Sequence, residues 1–284
     1  MKLAVSSYSF SRFGAGPEPN EKPDYFQLLD RCAAWELDGL ELLGVHFAEY
    51  APPAELLRGL RQHAFSVGVP IVAVSAHHNF VNPDPAAREA EIAKLCHWVD
   101  VAAELGAGAV RAFGGRWATR PRFAEFMAAQ GEEPPLEGYT DADGFAWNAE
   151  ALCRCADHAG ERGVTLVLEN HWGFTGTAAG VLRLVELTQS PWLQVVLDTG
   201  NFNFRPDQYA EMEALLPHTR MVHAKTYVGG GIYYTADLDY PRIFRSLKHS
   251  GFRGYVSLEF EGCAHPDDGI PESLALLRAA WSQA

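Results

Sequence analysis

No run of about twenty apolar residues occurs anywhere in the chain, so no helix spanning a bilayer is expected. The first ten residues, Met-Lys-Leu-Ala-Val-Ser-Ser-Tyr-Ser-Phe, do not read as a signal peptide. Serines break the apolar stretch, and Arg12 follows at once. Basic residues are scarce: Lys and Arg number 23 against 36 Asp and Glu, a formal charge of −13. A nucleic-acid binder needs a basic footprint to displace counterions, and an anionic membrane surface needs one too, so neither partner is expected. Cysteine is also sparse, with five residues, an odd number, most of them in helical patterns. They read as buried thiols of a reducing compartment, and the expected location is cytoplasmic. Cys153 and Cys155 are two apart on a predicted helix, face different ways and cannot share a metal. Gly-x-Gly-x-x-Gly and Gly-x-Ser-x-Gly are both missing, which removes the dinucleotide loop and the nucleophile elbow of open doubly wound sheets.

What is present is one recurring pattern: a short apolar run, a polar loop, an amphipathic stretch, then a glycine before the next run. The apolar runs are 3–8, 40–43, 71–76, 109–113, 165–169, 194–198, 221–224 and 255–259. Several are apolar throughout, as expected of strands buried on both faces. Helical patterns cover 25–35, 54–66, 86–105, 145–162, 179–188, 208–215, 240–250 and 271–281. Gly39, Gly68, Gly106, Gly163 and Gly254 lie near helix-to-strand junctions, where a helix often ends on a positive φ. Eight strands alternating with eight helices over 284 residues predict an α/β fold of one domain spanning residues 1–284, a (β/α)8 TIM barrel. No linker or low-complexity segment interrupts it. The longest irregular piece, 114–144, follows the fourth strand and is predicted to overhang the barrel mouth.

Active sites of such barrels lie at the C-terminal ends of the strands. The fifth strand ends at Glu169 with His171 beyond it. The sixth ends at Asp198, the seventh carries His223 and Lys225, and the eighth carries Glu259 and Glu261; the third ends at His77 and His78. Three carboxylates gathered at one rim would repel one another and hold protons unless a cation sat among them. Glu169, Asp198, His223 and Glu259 are therefore predicted to bind one divalent metal, with Mn²⁺ first and Mg²⁺, Co²⁺ or Zn²⁺ as alternatives. Arg111, inside the rim, needs an anionic partner, and His77 and His171 are placed to orient substrate hydroxyls. Lys225 either steadies an enediolate, protonates a leaving hydroxyl or pairs with a ligand carboxylate. Trp172, Phe80 and Trp117 are candidates for an apolar wall, and the glycines of Val-Gly-Gly-Gly-Ile at 228–232 for a loop hinge.

Leu-Glu-Asn at 168–170, Leu-Asp-Thr-Gly-Asn at 197–201, Val-His-Ala-Lys at 222–225 and Ser-Leu-Glu at 257–259 resemble the xylose-isomerase-like sugar isomerase and epimerase superfamily. The resemblance implies that Glu169, Asp198, His223 and Glu259 are the metal ligands, with Glu169 and Glu259 also acid and base beside a carbonyl. Val-Ser-Ala-His-His-Asn-Phe is similar to the third-strand segment where a histidine, here His77, meets substrate. Ketose epimerases of the superfamily usually carry a His three residues after the metal Asp and an Arg six after the metal His. Here those positions hold Asn201 and Gly229, and Lys225 is more like the inosose dehydratase branch. The expected activity is a metal-dependent isomerase or epimerase acting through an enediolate on a carbohydrate-derived keto compound. The alternative is a lyase or dehydratase on a keto-sugar, inosose or 3-keto-glycoside. A barrel that only binds a sugar is a third reading. The helix faces leave a homo-oligomer open.

Overall fold

A computed structural model describes residues 1–11 and 23–284; residues 12–22, Arg12 among them, lie outside it. Eight parallel strands close on themselves in chain order: β1 (Lys2–Ser6), β2 (Gly39–Leu43), β3 (Ile71–Ser75), β4 (Ala109–Ala112), β5 (Thr165–Glu169), β6 (Leu193–Asp198), β7 (Thr219–Thr226) and β8 (Tyr255–Phe260). Around them, among the described residues, run nine helices. These are α1 (Tyr25–Ala34), α2 (Ala54–Val67), α3 (Pro85–Leu105), α4 (Phe123–Ala128), α5 (Asp141–Arg162), α6 (Ala178–Thr188), α7 (Gln208–Leu215), α8 (Tyr240–His249) and α9 (Pro266–Gln283). The TIM barrel expected from the alternating pattern is the fold observed. No helix of the described residues is long and apolar enough to cross a membrane.

Several boundaries differ from the sequence reading. The first strand stops at Ser6 because Ser7–Phe10 turn into a 3-10 helix, where the Ser7 hydroxyl accepts the Leu43 N–H at 2.8 Å. The segment 114–144 is not wholly irregular, since it contains α4. Helix α5 starts at Asp141 rather than Phe145, because the Asp143 carboxylate accepts the Thr140 N–H at 2.8 Å and anchors an earlier first turn. Helix α9 starts at Pro266 and carries Pro271 inside it. Gly68, Gly106 and Gly163 do cap helices with positive φ, as read. Gly39 and Gly254 do not: they are small because a Cβ would meet Val72 at 2.4 Å or the Arg220 carbonyl at 1.8 Å. Cys155 is buried with its thiol 3.9 Å from that of Cys96, whereas the Cys153 thiol faces the Thr188 carbonyl, so the two do point apart.

The core has two parts. The larger lies between strands and helices. The smaller fills the lower barrel and is built from Ala4, Val72, Ala73, Val167, Val196 and Met221, with Ala109 and Tyr255 against it. Side chains on a strand repeat their facing every second residue. Two residues beyond Ala73, Ala109, Val167, Val196, Met221 and Tyr255 come Ser75, Arg111, Glu169, Asp198, His223 and Ser257. The same inward rows that pack the lower barrel with hydrocarbon thus deliver polar groups to the upper barrel.

Candidate metal centre

Glu169, Asp198, His223 and Glu259 converge, each offering one ligand atom within 4.8 Å of all the others. All four are buried. Register fixes part of this: Asp198 pairs with His223 across β6 and β7, and Lys225 with Glu259 across β7 and β8. His223 Nδ1 stands 3.5 Å from Glu169 Oε1 and 3.4 Å from Glu259 Oε1. Asp198 Oδ1 is occupied, accepting the N–H groups of Gly200 and Asn201 at 2.7 and 2.9 Å. Its Oδ2 and the His223 Nδ1 are buried and have no hydrogen-bond partner. Two orphaned atoms pointing into a cluster of carboxylates, a cost seldom left in a folded protein, fit a bound cation.

The charge states carry the same strain. Burial, reinforced by Glu259 and Glu169, pushes the Asp198 carboxyl well above the usual carboxylate range against the pull of Lys225. Burial also raises Glu259. For Glu169 burial acts upward, but the Arg111 guanidinium and His223 outweigh it and hold the carboxyl low. Burial disfavours the imidazolium of His223, yet Glu259 and Glu41 overcome it and raise the group. A divalent cation would relieve the repulsion that those protons now relieve.

Glu41, on β2, was missed by the sequence reading. It is fully buried and accepts hydrogen bonds from Ser75 Oγ at 2.5 Å, Ser257 Oγ at 2.6 Å and His223 Nε2 at 3.0 Å. Its one visible signal is a lone Glu inside the apolar run Gly-Leu-Glu-Leu-Leu. With Nε2 donating to Glu41, Nδ1 is the nitrogen presented to the carboxylates.

The other predicted residues line the same cavity, of about 260 Å³, together with Tyr8, Phe113, Phe123, Trp172, Tyr233 and Tyr234. Arg111 has its anionic partner within the protein: Nε lies 3.3 Å from Glu169 Oε2, and the guanidinium sits over the Phe113 ring. Lys225 Nζ donates to Glu261 at 2.7 Å and stands 3.6 Å from Asp198 and 3.9 Å from Glu259. Burial opposes its charge, but Asp198 and Glu261 keep it an ammonium. Tyr8 donates to the same Glu261 at 2.9 Å. His77 and His171 both face the cavity; burial lowers them to about 3 and about 4, so both are neutral imidazoles. The adjacent His78 is spent on structure, since its Nε2 accepts the Phe113 N–H at 3.0 Å.

Of the three candidates for an apolar wall, one faces the site and two serve packing instead. Trp172 lines the cavity, but Phe80 lies in the core and Trp117 packs with Val81 and Phe174 against a separate hollow outside the barrel. The arginines of 114–144 are engaged: Arg116 with Glu133, Arg120 with the Glu132 carbonyl and Arg122 with Glu125. The 228–232 glycines form a turn tied to the loop after β8. Gly230 accepts the Cys263 N–H at 2.8 Å, and the Val228 carbonyl accepts that of Ala264 at 3.1 Å.

Every buried carboxylate among the described residues (Glu41, Glu169, Asp198, Glu259 and Glu261) lies at this end of the barrel, as do the buried Arg111 and Lys225. The chain belongs to the xylose isomerase-like TIM barrel family, whose model matches residues 29–280. Among solved structures it is similar to 3-keto-D-glucoside 4-epimerase YcjR from E. coli, at 17% identity and TM-score 0.73 over 98% of this chain and 99% of that one. It is also similar to a D-psicose 3-epimerase solved in the presence of D-fructose, at 19% identity and TM-score 0.75 over 99% of each chain. A D-allulose 3-epimerase from Methylomonas sp. aligns at 17% identity and TM-score 0.74, over 99% of this chain and 97% of that one. No curated protein sequence matches the chain.

Proposed function

We propose that the protein is a divalent-metal-dependent isomerase or epimerase of a sugar-derived keto compound. The observation that carries this reading is the pair Glu169 and Glu259, both within 3.5 Å of His223 Nδ1 and both lining one small cavity. Glu169, Asp198, His223 and Glu259 would hold the cation, most naturally Mn²⁺, with Mg²⁺, Co²⁺ and Zn²⁺ compatible with three oxygens and one imidazole. Its contribution when bound is Lewis-acid polarisation of a carbonyl and an adjacent hydroxyl.

The chain's own residues supply the rest. Glu169, held ionised by Arg111, takes the proton from the carbon beside the carbonyl. Glu259, which burial pushes towards its protonated form, returns one. Return to the opposite face inverts the centre, and return to the neighbouring carbon isomerises the sugar. Positioned acid–base help of this kind typically contributes about 10²–10⁴-fold. Neutral His77 and His171 orient hydroxyls, since each can donate from one nitrogen and accept at the other. The fold shared with sugar epimerases of D-psicose and of 3-keto-D-glucosides supports a carbohydrate substrate.

A second reading has an observation of its own. Lys225, Glu261 and Tyr8 form a hydrogen-bonded group on the same cavity wall, and it could give a proton to a departing hydroxyl. That would make the enzyme a lyase or dehydratase of a keto-sugar. Proton exchange separates the readings. Keto-sugars incubated in D₂O with Mn²⁺ are expected to gain deuterium beside the carbonyl. A new double bond or a released group would favour the lyase. Sugar binding with neither outcome would leave a binding protein and overturn the enzyme reading.

A further inference from the structure

The cavity changes character from floor to mouth. Its inner wall is polar, with Arg111, Lys225, Glu261 and the two histidines, whereas its mouth carries Phe123, Trp172 and Tyr233. These rings come from three separate segments. Phe123 opens α4, Trp172 follows β5 and Tyr233 follows β7. Phe123 lies 5.4 Å from Trp172 and 4.9 Å from Tyr233, centroid to centroid. Phe123 is 41% exposed and Tyr233 45%, and no other exposed aromatic ring of the described residues lines this cavity. The Trp172 indole N–H is shielded from solvent and has no hydrogen-bond partner.

The collar is held in place before any ligand arrives. Phe126 of α4 packs edge-on with Trp172 at 5.4 Å, the Arg116 guanidinium lies over the Phe126 ring, and Glu133 pairs with Arg116. A volume of about 260 Å³ is at the small end for ligand pockets and suits a single sugar ring, which the polar floor can satisfy alone. Apolar rings left facing water at a pocket mouth have no task for such a ligand.

We infer that Phe123, Trp172 and Tyr233 form an outer subsite for a second ring joined glycosidically to the reacting sugar, so that the substrate is a keto-glycoside rather than a free ketose. The inference rests on the carbohydrate reading above and narrows it. The apolar face of a second pyranose, or the face of an aromatic aglycone, stacks on the collar.

The test is calorimetric and needs no turnover. The methyl, phenyl and glucosyl β-glycosides of 3-keto-glucose are titrated into the Mn²⁺-loaded wild type and into Phe123→Ala, Phe123→Leu and Tyr233→Ala. The two-ring ligands are expected to bind the wild type about tenfold more tightly than the methyl glycoside. That advantage is expected to shrink to about twofold in the variants, while methyl glycoside affinity holds. The larger gain, phenyl or glucosyl, identifies the kind of second ring. Phe123→Leu keeps an apolar side chain at the start of α4 and guards against a general collapse of the segment. Equal affinity for all three ligands in the wild type, or parallel losses for all three in the variants, overturns the subsite and leaves the carbohydrate reading standing. Failure of every glycoside to bind while Mn²⁺ binds normally overturns both.

Discussion

Glu41 accepts a 3.0 Å hydrogen bond from His223 Nε2, although 182 residues separate them. That bond holds the ring with Nδ1 turned towards Glu169 and Glu259. Removing the negative charge leaves the ring less firmly oriented and less basic. Glu41→Gln is therefore expected to weaken Mn²⁺ binding about 10- to 100-fold. Titration calorimetry reads this directly, and wild-type affinity in the variant would show that the pair is only packing.

Glu259 has two tasks in the proposed chemistry, so Glu259→Gln is expected to lose both. Turnover should vanish and metal affinity fall, while the far-ultraviolet dichroism and the barrel stay intact. A metal-stripped Glu259→Gln protein with full activity would reject the assignment of Glu259.

Acid stability follows from the buried histidines. Burial and the Arg111 charge lower His77 from 6.5 to about 3, and burial sets His78 well below its ordinary value. Below about pH 6.5 the unfolded chain takes up protons that the folded one refuses. The stability present above that pH is therefore lost as pH falls towards about 3, at up to ~1.4 kcal/mol per pH unit for each group. Urea midpoints of the metal-free protein should fall less steeply in His77→Asn than in the wild type between about pH 6.5 and 4. Equal slopes would show that His77 does not contribute.

Gly254 approaches the Arg220 carbonyl so closely that a Cβ would stand 1.8 Å from the oxygen. The obstacle is backbone, which cannot rotate aside. Gly254→Ala should cost about 1–3 kcal/mol and lower the melting temperature without changing metal affinity per folded molecule. An unchanged melting temperature would mean that β7 and β8 separate more easily than their packing suggests.

The four candidate ligands were legible because each sits on an apolar run at the same end of consecutive strands, so one rule collects them. Glu41 was not. Its three partners lie 34, 182 and 216 residues away, and no local pattern announces a carboxylate whose burial is made tolerable by Ser75, His223 and Ser257. Of the aromatic collar only Trp172 was legible, and Phe123 and Tyr233 escaped for a related reason. Phe123 belongs to a six-residue helix fixed by the Arg116–Glu133 pair, and such tertiary bracing leaves no periodicity to read. Helix α5 is different: the Thr140–Asp143 cap is local, three residues apart, but the apolar period of the helix begins only at Phe145, one turn later.

Five buried carboxyl groups share the upper barrel with one guanidinium, one ammonium and one imidazole, and the proposed cation would take over the balance that protons on Asp198 and Glu259 now keep. A ligand that binds only the folded form stabilises it in proportion to the logarithm of its free concentration. The lifetime of each molecule before proteolysis should accordingly track divalent-ion supply. Starvation for the ion would then thin out the protein itself, beyond silencing the copies that remain.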